Sequence, residues 1–159
     1  MKIVEIKLNQ IIDDLNKKKT ISKIDSTNLK NFDLTENEKK IITTYQPEKS
    51  LIIYGTLSPG SPNHSVIEHI KGKWQKAIVK GKLENKGWGA EFGYFGFRPI
   101  GIDEQIEIDA YILFSEELVE NWDLLDDFEG VEYKRILAKY ELENGEIGVG
   151  YIYAINDDN

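Results

Sequence analysis

Short strand-forming segments separated by few helices predict an α+β fold, and three stretches carry the prediction. Ser50-Leu51-Ile52-Ile53 is an apolar run cut off at Gly55, the pattern of a short strand buried on both faces. Gln105 to Phe114 alternates, placing Ile106, Ile108, Ala110, Ile112 and Phe114 on one face and Glu107, Asp109, Tyr111 and Leu113 on the other. Tyr133 to Leu142 and Glu146 to Ile155 read as two strands joined by Asn144-Gly145, a pair that accepts the positive φ angles of a tight hairpin turn.

Taken in order, the chain begins with helices. Leu8, Ile11, Ile12 and Leu15 share one face of a predicted helix running into Lys17-Lys18-Lys19, where positive charge suits the C-terminal dipole. Thr35-x-x-Glu38 is a capping box that opens a second helix, with Leu34 before it and Ile41 and Ile42 inside it. Helices this short are marginal alone in water, so their apolar stripes must dock on the rest of the chain or on a partner. Docking within the chain is expected: residues 1–48 form an N-terminal helical extension, residues 49–157 the main domain, and Tyr45 to Lys49 the connector.

Past Gly55 the chain runs through Thr56, Leu57 and Ser58 to Ser61, which can cap a helix, and Pro62, which suits a first helical position. Val66, Ile67 and Ile70 then recur at helical spacing, and Gly72 ends the predicted helix. A loop between a buried strand and a helix N-terminus has backbone N–H groups that no ladder uses, so it can hold a carboxylate or a developing oxyanion. The same residues also make an ordinary strand-turn-helix junction. Lys73 to Leu83 predicts a strand with Trp74, Ala77, Val79 and Leu83 toward a core. Asn85 to Phe97 mixes glycines with aromatics, which either wall a pocket or pack in the interior. After the alternating strand, Ser115 caps a helix with Glu116 and Glu117 in its first turn and Leu118, Trp122 and Leu125 as its buried stripe.

At 159 residues the chain has room for one domain with a core and is short for two. A formal charge of −8 repels nucleic acid and anionic membrane surfaces, leaving a small polar molecule as the open class of partner. Without cysteine there is no disulfide, thiolate nucleophile or cysteine-bound metal. The N-terminus lacks the uninterrupted apolar run of a signal peptide or membrane span, so a cytoplasmic location is expected. His64 and His69 lie too far round a helix to share a metal, no Gly-x-Ser-x-Gly elbow surrounds Ser58 or Ser61, and the glycines lack phosphate-loop spacing.

Asp126, Asp127 and Glu129 crowd the end of the last predicted helix, where the dipole disfavours negative charge. Like charges and the helix terminus both favour a protonated carboxyl, which is how an acid is tuned for proton transfer near neutral pH. Acidic clusters are also common as plain surface, and residue physics does not choose among the three.

Two separated blocks do choose. Tyr54-Gly55-Thr56-Leu57 with Pro59-Gly60 and Pro62-Asn63-His64 resembles the signature loop of the gamma-glutamylcyclotransferase-like, or AIG2-like, superfamily. Trp122, Leu125, Asp126, Phe128, Glu129, Gly130, Tyr133 and Arg135 resemble its helix-end motif, with Gly87-Trp88-Gly89-Ala90 and Gly93-Tyr94 between the blocks similar to one bacterial branch. The resemblance spans roughly residues 50–155. It implies a mixed sheet curled into a small barrel and cyclisation of a gamma-glutamyl group to 5-oxoproline by intramolecular acyl transfer, with no cofactor or metal. It implies Glu129 as the catalytic acid and base and substrate binding by Tyr54, Gly55, Thr56, Leu57 and Tyr133; the position of His64 at the predicted helix start and of Trp88 and Tyr94 in the glycine-aromatic segment makes these three the candidate pocket wall. Arg135 is expected to pair with a carboxylate rather than touch substrate. A non-catalytic binding protein using the same pocket is the alternative; oligomeric state is not encoded legibly.

Overall fold

The computed structural model describes residues 2–99 and 106–157. Seven strands and three helices are present among them: α1 (Lys2–Asn16), α2 (Glu36–Tyr45), β1 (Ser50–Ile53), β2 (Lys73–Lys80), β3 (Lys82–Glu84), β4 (Gly96–Arg98), β5 (Glu107–Phe114), α3 (Leu118–Glu129), β6 (Tyr133–Leu142) and β7 (Ile147–Ile155). The order β1-β5-β2-β6-β7 returns to β1, because β1 also pairs with β7 in parallel through Leu51↔Tyr151 and Ile52↔Ile152. Five strands therefore close a mixed barrel, and the fold is α+β as the sequence predicts.

Closure explains the apolar run of β1. Leu51 and Ile52 have strand neighbours on both edges, and they and Ile53 are buried, so each side chain must be apolar. Beyond Ile152 the same edge of β7 changes partner: Ala154 pairs in parallel with Phe97 of β4, which carries β3 outward. β1 ends where β4 begins, and that seam positions the site described below.

Several predicted elements differ. No α-helix follows the loop after β1; residues 63–70 form turns with Val66 N–H to Asn63, Ile67 N–H to His64 and Ile70 N–H to Ile67. Ile67 and Ile70 are buried, and their spacing of three suits the tighter turn as well as a helix. Ser61 and Pro62 therefore start no helix, and Gly72 is required instead because a Cβ there would lie 2.3 Å from the Phe114 carbonyl oxygen. The predicted strand 73–83 is two strands broken at Gly81, where a Cβ would lie 2.3 Å from the Phe97 ring, and Leu83 beyond the break is 41% exposed. Ile106 is exposed ahead of β5, and Gln105 lies outside the described residues. Ser115 sits two residues before the helix cap, accepting from the Glu117 N–H and donating to the Lys71 carbonyl.

Around the barrel, α3 buries Leu118, Trp122 and Leu125. The Thr35–Glu38 capping box is formed in both directions. α1 buries Leu8, Ile12 and Leu15 and ends at Asn16, so the lysine run falls beyond its last turn. The Asn16 side chain donates to the Leu137 carbonyl at 2.8 Å and accepts from the Leu137 N–H at 2.9 Å. The Tyr151 hydroxyl faces the carbonyls of Ile21 and Ile24 at 2.9 and 2.5 Å.

Candidate active site

The seam where β1 gives way to β4 is held by one side chain. The Tyr54 hydroxyl donates to the Tyr153 carbonyl at 2.6 Å and accepts from the Phe97 N–H at 2.9 Å, bridging β7 and β4 where β1 departs. Burial keeps this hydroxyl protonated far above the usual tyrosine range. Its hydrogen is committed, so Tyr54 offers the cavity its ring rather than a donor. The chain then turns through Gly55, Thr56 and Leu57, anchored by Ser58 N–H to Gly55 and Asn63 N–H to Thr56. Among the described residues no acceptor takes the N–H groups of Gly55, Thr56 or Leu57. The donors expected from a helix N-terminus are thus supplied by a turn, without a helix dipole behind them.

Tertiary contacts separate the three carboxyls at the C-terminal end of α3. Arg135, buried and packed over the rings of Trp122 and Tyr151 at 4.3 and 4.7 Å, donates to Asp126 from two nitrogens at 2.9 and 3.1 Å. Asp126 also accepts from the Tyr153 hydroxyl at 2.7 Å. Asp127 is exposed. Glu129 is partly buried, and among the described residues its carboxyl makes no hydrogen bond or ion pair. Burial first, and the neighbouring charge of Asp126 second, raise its pKa from 4.5 to about 7.

The opposite wall comes from the glycine-aromatic segment. Trp88 donates its indole N–H to the Glu129 carbonyl at 2.8 Å and meets the rings of Phe128 and Tyr133 edge-on. Gly87 has φ of +86°, and a Cβ there would lie 2.4 Å from the Tyr133 hydroxyl oxygen. Only glycine lets this backbone reach Tyr133, whose hydroxyl accepts from the Gly89 N–H at 3.2 Å. Burial raises the Tyr133 pKa, so its own hydrogen stays in place and has no acceptor among the described residues.

These elements enclose a cleft of about 40 Å³. Glu129, Tyr54, Gly55, Thr56, Leu57 and Tyr133 line it, as do Trp88 and Tyr94. His64 does not: its Nδ1 lies 2.8 Å from the Leu57 carbonyl and its ring packs on Trp74 at 5.4 Å, which places it behind the loop. Tyr153 and Phe95 line the cleft without having been singled out in the sequence. Nothing local marks Tyr153, which joins the site only through the β1–β7 closure, whereas the aromatic spacing around Gly93 was a usable signal for Phe95. The arrangement supplies one titratable carboxyl, three unused backbone donors and a tyrosine hydroxyl around a small cavity. Among the described residues no group of three or more His, Asp or Glu could hold a metal, and no helix is long and apolar enough to cross a membrane.

The profile of the family described as Gamma-glutamyl cyclotransferase, AIG2-like matches residues 51–159. Among solved structures the chain is similar to YkqA from Bacillus subtilis at 23% identity, over 68% of this chain and 36% of that one, with a TM-score of 0.53. It is similar to a yeast gamma-glutamyl cyclotransferase specific to glutathione at 12% identity, over 69% of each chain, with a TM-score of 0.50. An AIG2-like protein from Mus musculus aligns at 22% identity over 67% of this chain and 76% of that one, with a TM-score of 0.47. The likeness to the Bacillus subtilis and yeast structures shows a shared fold, and the chain spans little more than a third of the Bacillus subtilis protein. No curated protein matches the chain.

Proposed function

The chain belongs to the Gamma-glutamyl cyclotransferase, AIG2-like family, and from that premise we propose that it cyclises a gamma-glutamyl group to 5-oxoproline and releases the attached amine or amino acid, with Glu129 as the acid and base. The observation carrying this reading is the Glu129 carboxyl, uncommitted among the described residues, facing the cleft with a pKa near 7.

The substrate's α-amino nitrogen attacks its own γ-carbonyl. A ring C–N bond forms, the bond to the leaving nitrogen breaks, and two protons pass from the α-nitrogen to the leaving nitrogen. Water is not consumed. A carboxyl with a pKa near the working pH can take a proton from the ammonium and return it to the departing amine. The N–H groups of Gly55, Thr56 and Leu57 hold the α-carboxylate and the tetrahedral oxyanion, and the Tyr133 hydroxyl donates from the other side. Cyclisation requires a folded-back substrate held with its α-nitrogen against the γ-carbonyl. In this reading residues 1–48 are an extension docked on the domain of residues 49–157.

The test is to offer the folded protein a panel of gamma-glutamyl compounds and follow 5-oxoproline. Product from at least one, lost in Glu129→Gln, supports the reading. Binding without product points to a pocket protein instead, and overturns it.

A further inference from the structure

A second cavity, of about 540 Å³, lies against β5, β2 and the end of β6. Tyr54 lines it as well as the cleft, and Ser58, from the loop after β1, forms another part of its wall. Ala77, Ala110 and Leu142 are buried, so the residues alternating with them, Lys76, Ile78, Asp109, Tyr111 and Glu141, present their side chains on the outer face of the barrel. The cavity is therefore a groove on the outside of the sheet.

The strand register arranges its charges. Ile78 pairs with Asp109 on one neighbouring strand and with Glu141 on the other. An apolar side chain thus stands between two carboxylates whose backbones are two strand spacings, about 10 Å, apart. Glu143 also lines the groove, and Lys76 is the one cation in its lining. None of these four charged groups has an ion pair or hydrogen bond among the described residues. Three negative charges against one, in a chain of formal charge −8, draw in a cation.

Ser58 points independently to a ligand. It is only 8% exposed, its N–H donates to the Gly55 carbonyl and its carbonyl accepts from the Ser61 N–H. Its hydroxyl has no partner among the described residues, although it belongs to a residue that walls the groove. A hydroxyl withdrawn from water with nothing bonded to it is unfavourable, and an ammonium N–H can supply the missing bond.

We propose that this groove binds a linear aliphatic diamine. One ammonium lies between Asp109 and the Ser58 hydroxyl, the other at Glu141 and Glu143, and the methylenes cross Ile78. The site is separate from the cleft and does not rest on the cyclotransferase reading.

Titration calorimetry on the full chain tests it with α,ω-diaminoheptane, which can span the two carboxylates, α,ω-diaminopropane, which is too short, and heptylamine, which has one charge. The long diamine should bind one per chain, and the other two about fivefold more weakly, the upper end of what one exposed ion pair contributes. Its binding should weaken as salt is raised. Asp109→Asn and Glu141→Gln, both at exposed positions, should each bring the diaminoheptane-to-heptylamine ratio toward one while the melting temperature stays near wild type. Ser58→Ala should weaken diaminoheptane binding, and Glu129→Gln should leave it unchanged. Equal affinity for heptylamine and diaminoheptane, no binding at millimolar diamine, or an unchanged ratio in both carboxylate variants overturns the proposal. Undiminished binding in Ser58→Ala overturns it too, and loss of binding in Glu129→Gln does so by placing the diamine in the cleft. The cyclotransferase reading stands or falls separately, on 5-oxoproline.

Discussion

Arg135 grips Asp126 with two nitrogens, at 2.9 and 3.1 Å, from a position where its own side chain is only 6% exposed. Asp126 is thereby fixed one helical turn before Glu129, and its negative charge is the second cause of the raised Glu129 pKa after burial. Asp126→Asn should act twice. It leaves a buried guanidinium without its counter-charge, which should cost about 1–3 kcal/mol of stability. It also removes a negative neighbour of Glu129, so the acid limb of kcat/KM, expected near pH 7 in the wild type, should move to lower pH. A pH profile alongside thermal unfolding checks both effects; a stability loss with an unmoved acid limb would remove Asp126 from the tuning of the base.

Glu129→Gln should lower turnover at least about a hundredfold, the low end of general acid-base contributions, with substrate binding retained. Its stability has a definite sign. The folded pKa is raised, so between pH 4.5 and about 7 the folded state holds the proton more tightly than the unfolded chain. Wild-type stability therefore falls as pH rises through that window. Relative to wild type, Glu129→Gln should gain stability above pH 7, by at most about 3.4 kcal/mol at about 1.36 kcal/mol per pKa unit. The gain should fade toward pH 4.5. Asp127→Asn, at an exposed position, should keep most activity; a large drop there instead would move the base by two residues.

Gly87 and Gly93 both have positive φ, of +86° and +87°, but differ in their surroundings. A Cβ at Gly87 would collide with the Tyr133 hydroxyl, whereas nothing lies within 4 Å of one at Gly93. Gly93→Ala should cost about 1 kcal/mol from backbone strain and leave kcat near wild type. Gly87→Ala should add displacement of Tyr133 and lower kcat as well. Unfolding curves and single-substrate kinetics on the pair separate strain from site damage, and equal kcat in the two variants would detach Tyr133 from the chemistry.

Local chemistry made some of this legible. Asn144-Gly145 and Thr35-x-x-Glu38 mark a turn and a helix start through atoms a few residues apart; the hairpin and the capping box both form, but of the turn pair Gly145 alone takes a positive φ, of +90°. The helix expected after Pro62 failed because an apolar spacing of three fits a 3-10 turn as well as an α-helix. Residue physics left Asp126, Asp127 and Glu129 unresolved because the contacts that separate them come from Arg135 and Tyr153, 9 and 27 residues from Asp126. Among the signals in the sequence, the resemblance of the helix-end motif alone singled out Glu129. His64 sits within the loop motif yet behind the loop in space, because motif membership records order along the chain and says nothing of which side a ring faces.

The contact between Asn16 and Leu137 has a consequence for solubility. Leu137 pairs across one edge with Tyr151, while β2 reaches β6 only at residues 140–142, so the other edge at Leu137 is left without a strand. The Asn16 amide offers one donor and one acceptor to that position, doing with a single side chain what an adjacent strand's rung would do. Removing residues 1–33 should uncover this edge as a template for another extended chain, whether a second molecule or a partly folded one. Light scattering should show concentration-dependent association of the truncated protein, and Asn16→Ala in the full chain should show a weaker form of it, because α1 still covers the strand. The N-terminal helix on this view is a guard against misassembly, present whether or not the cleft is at work.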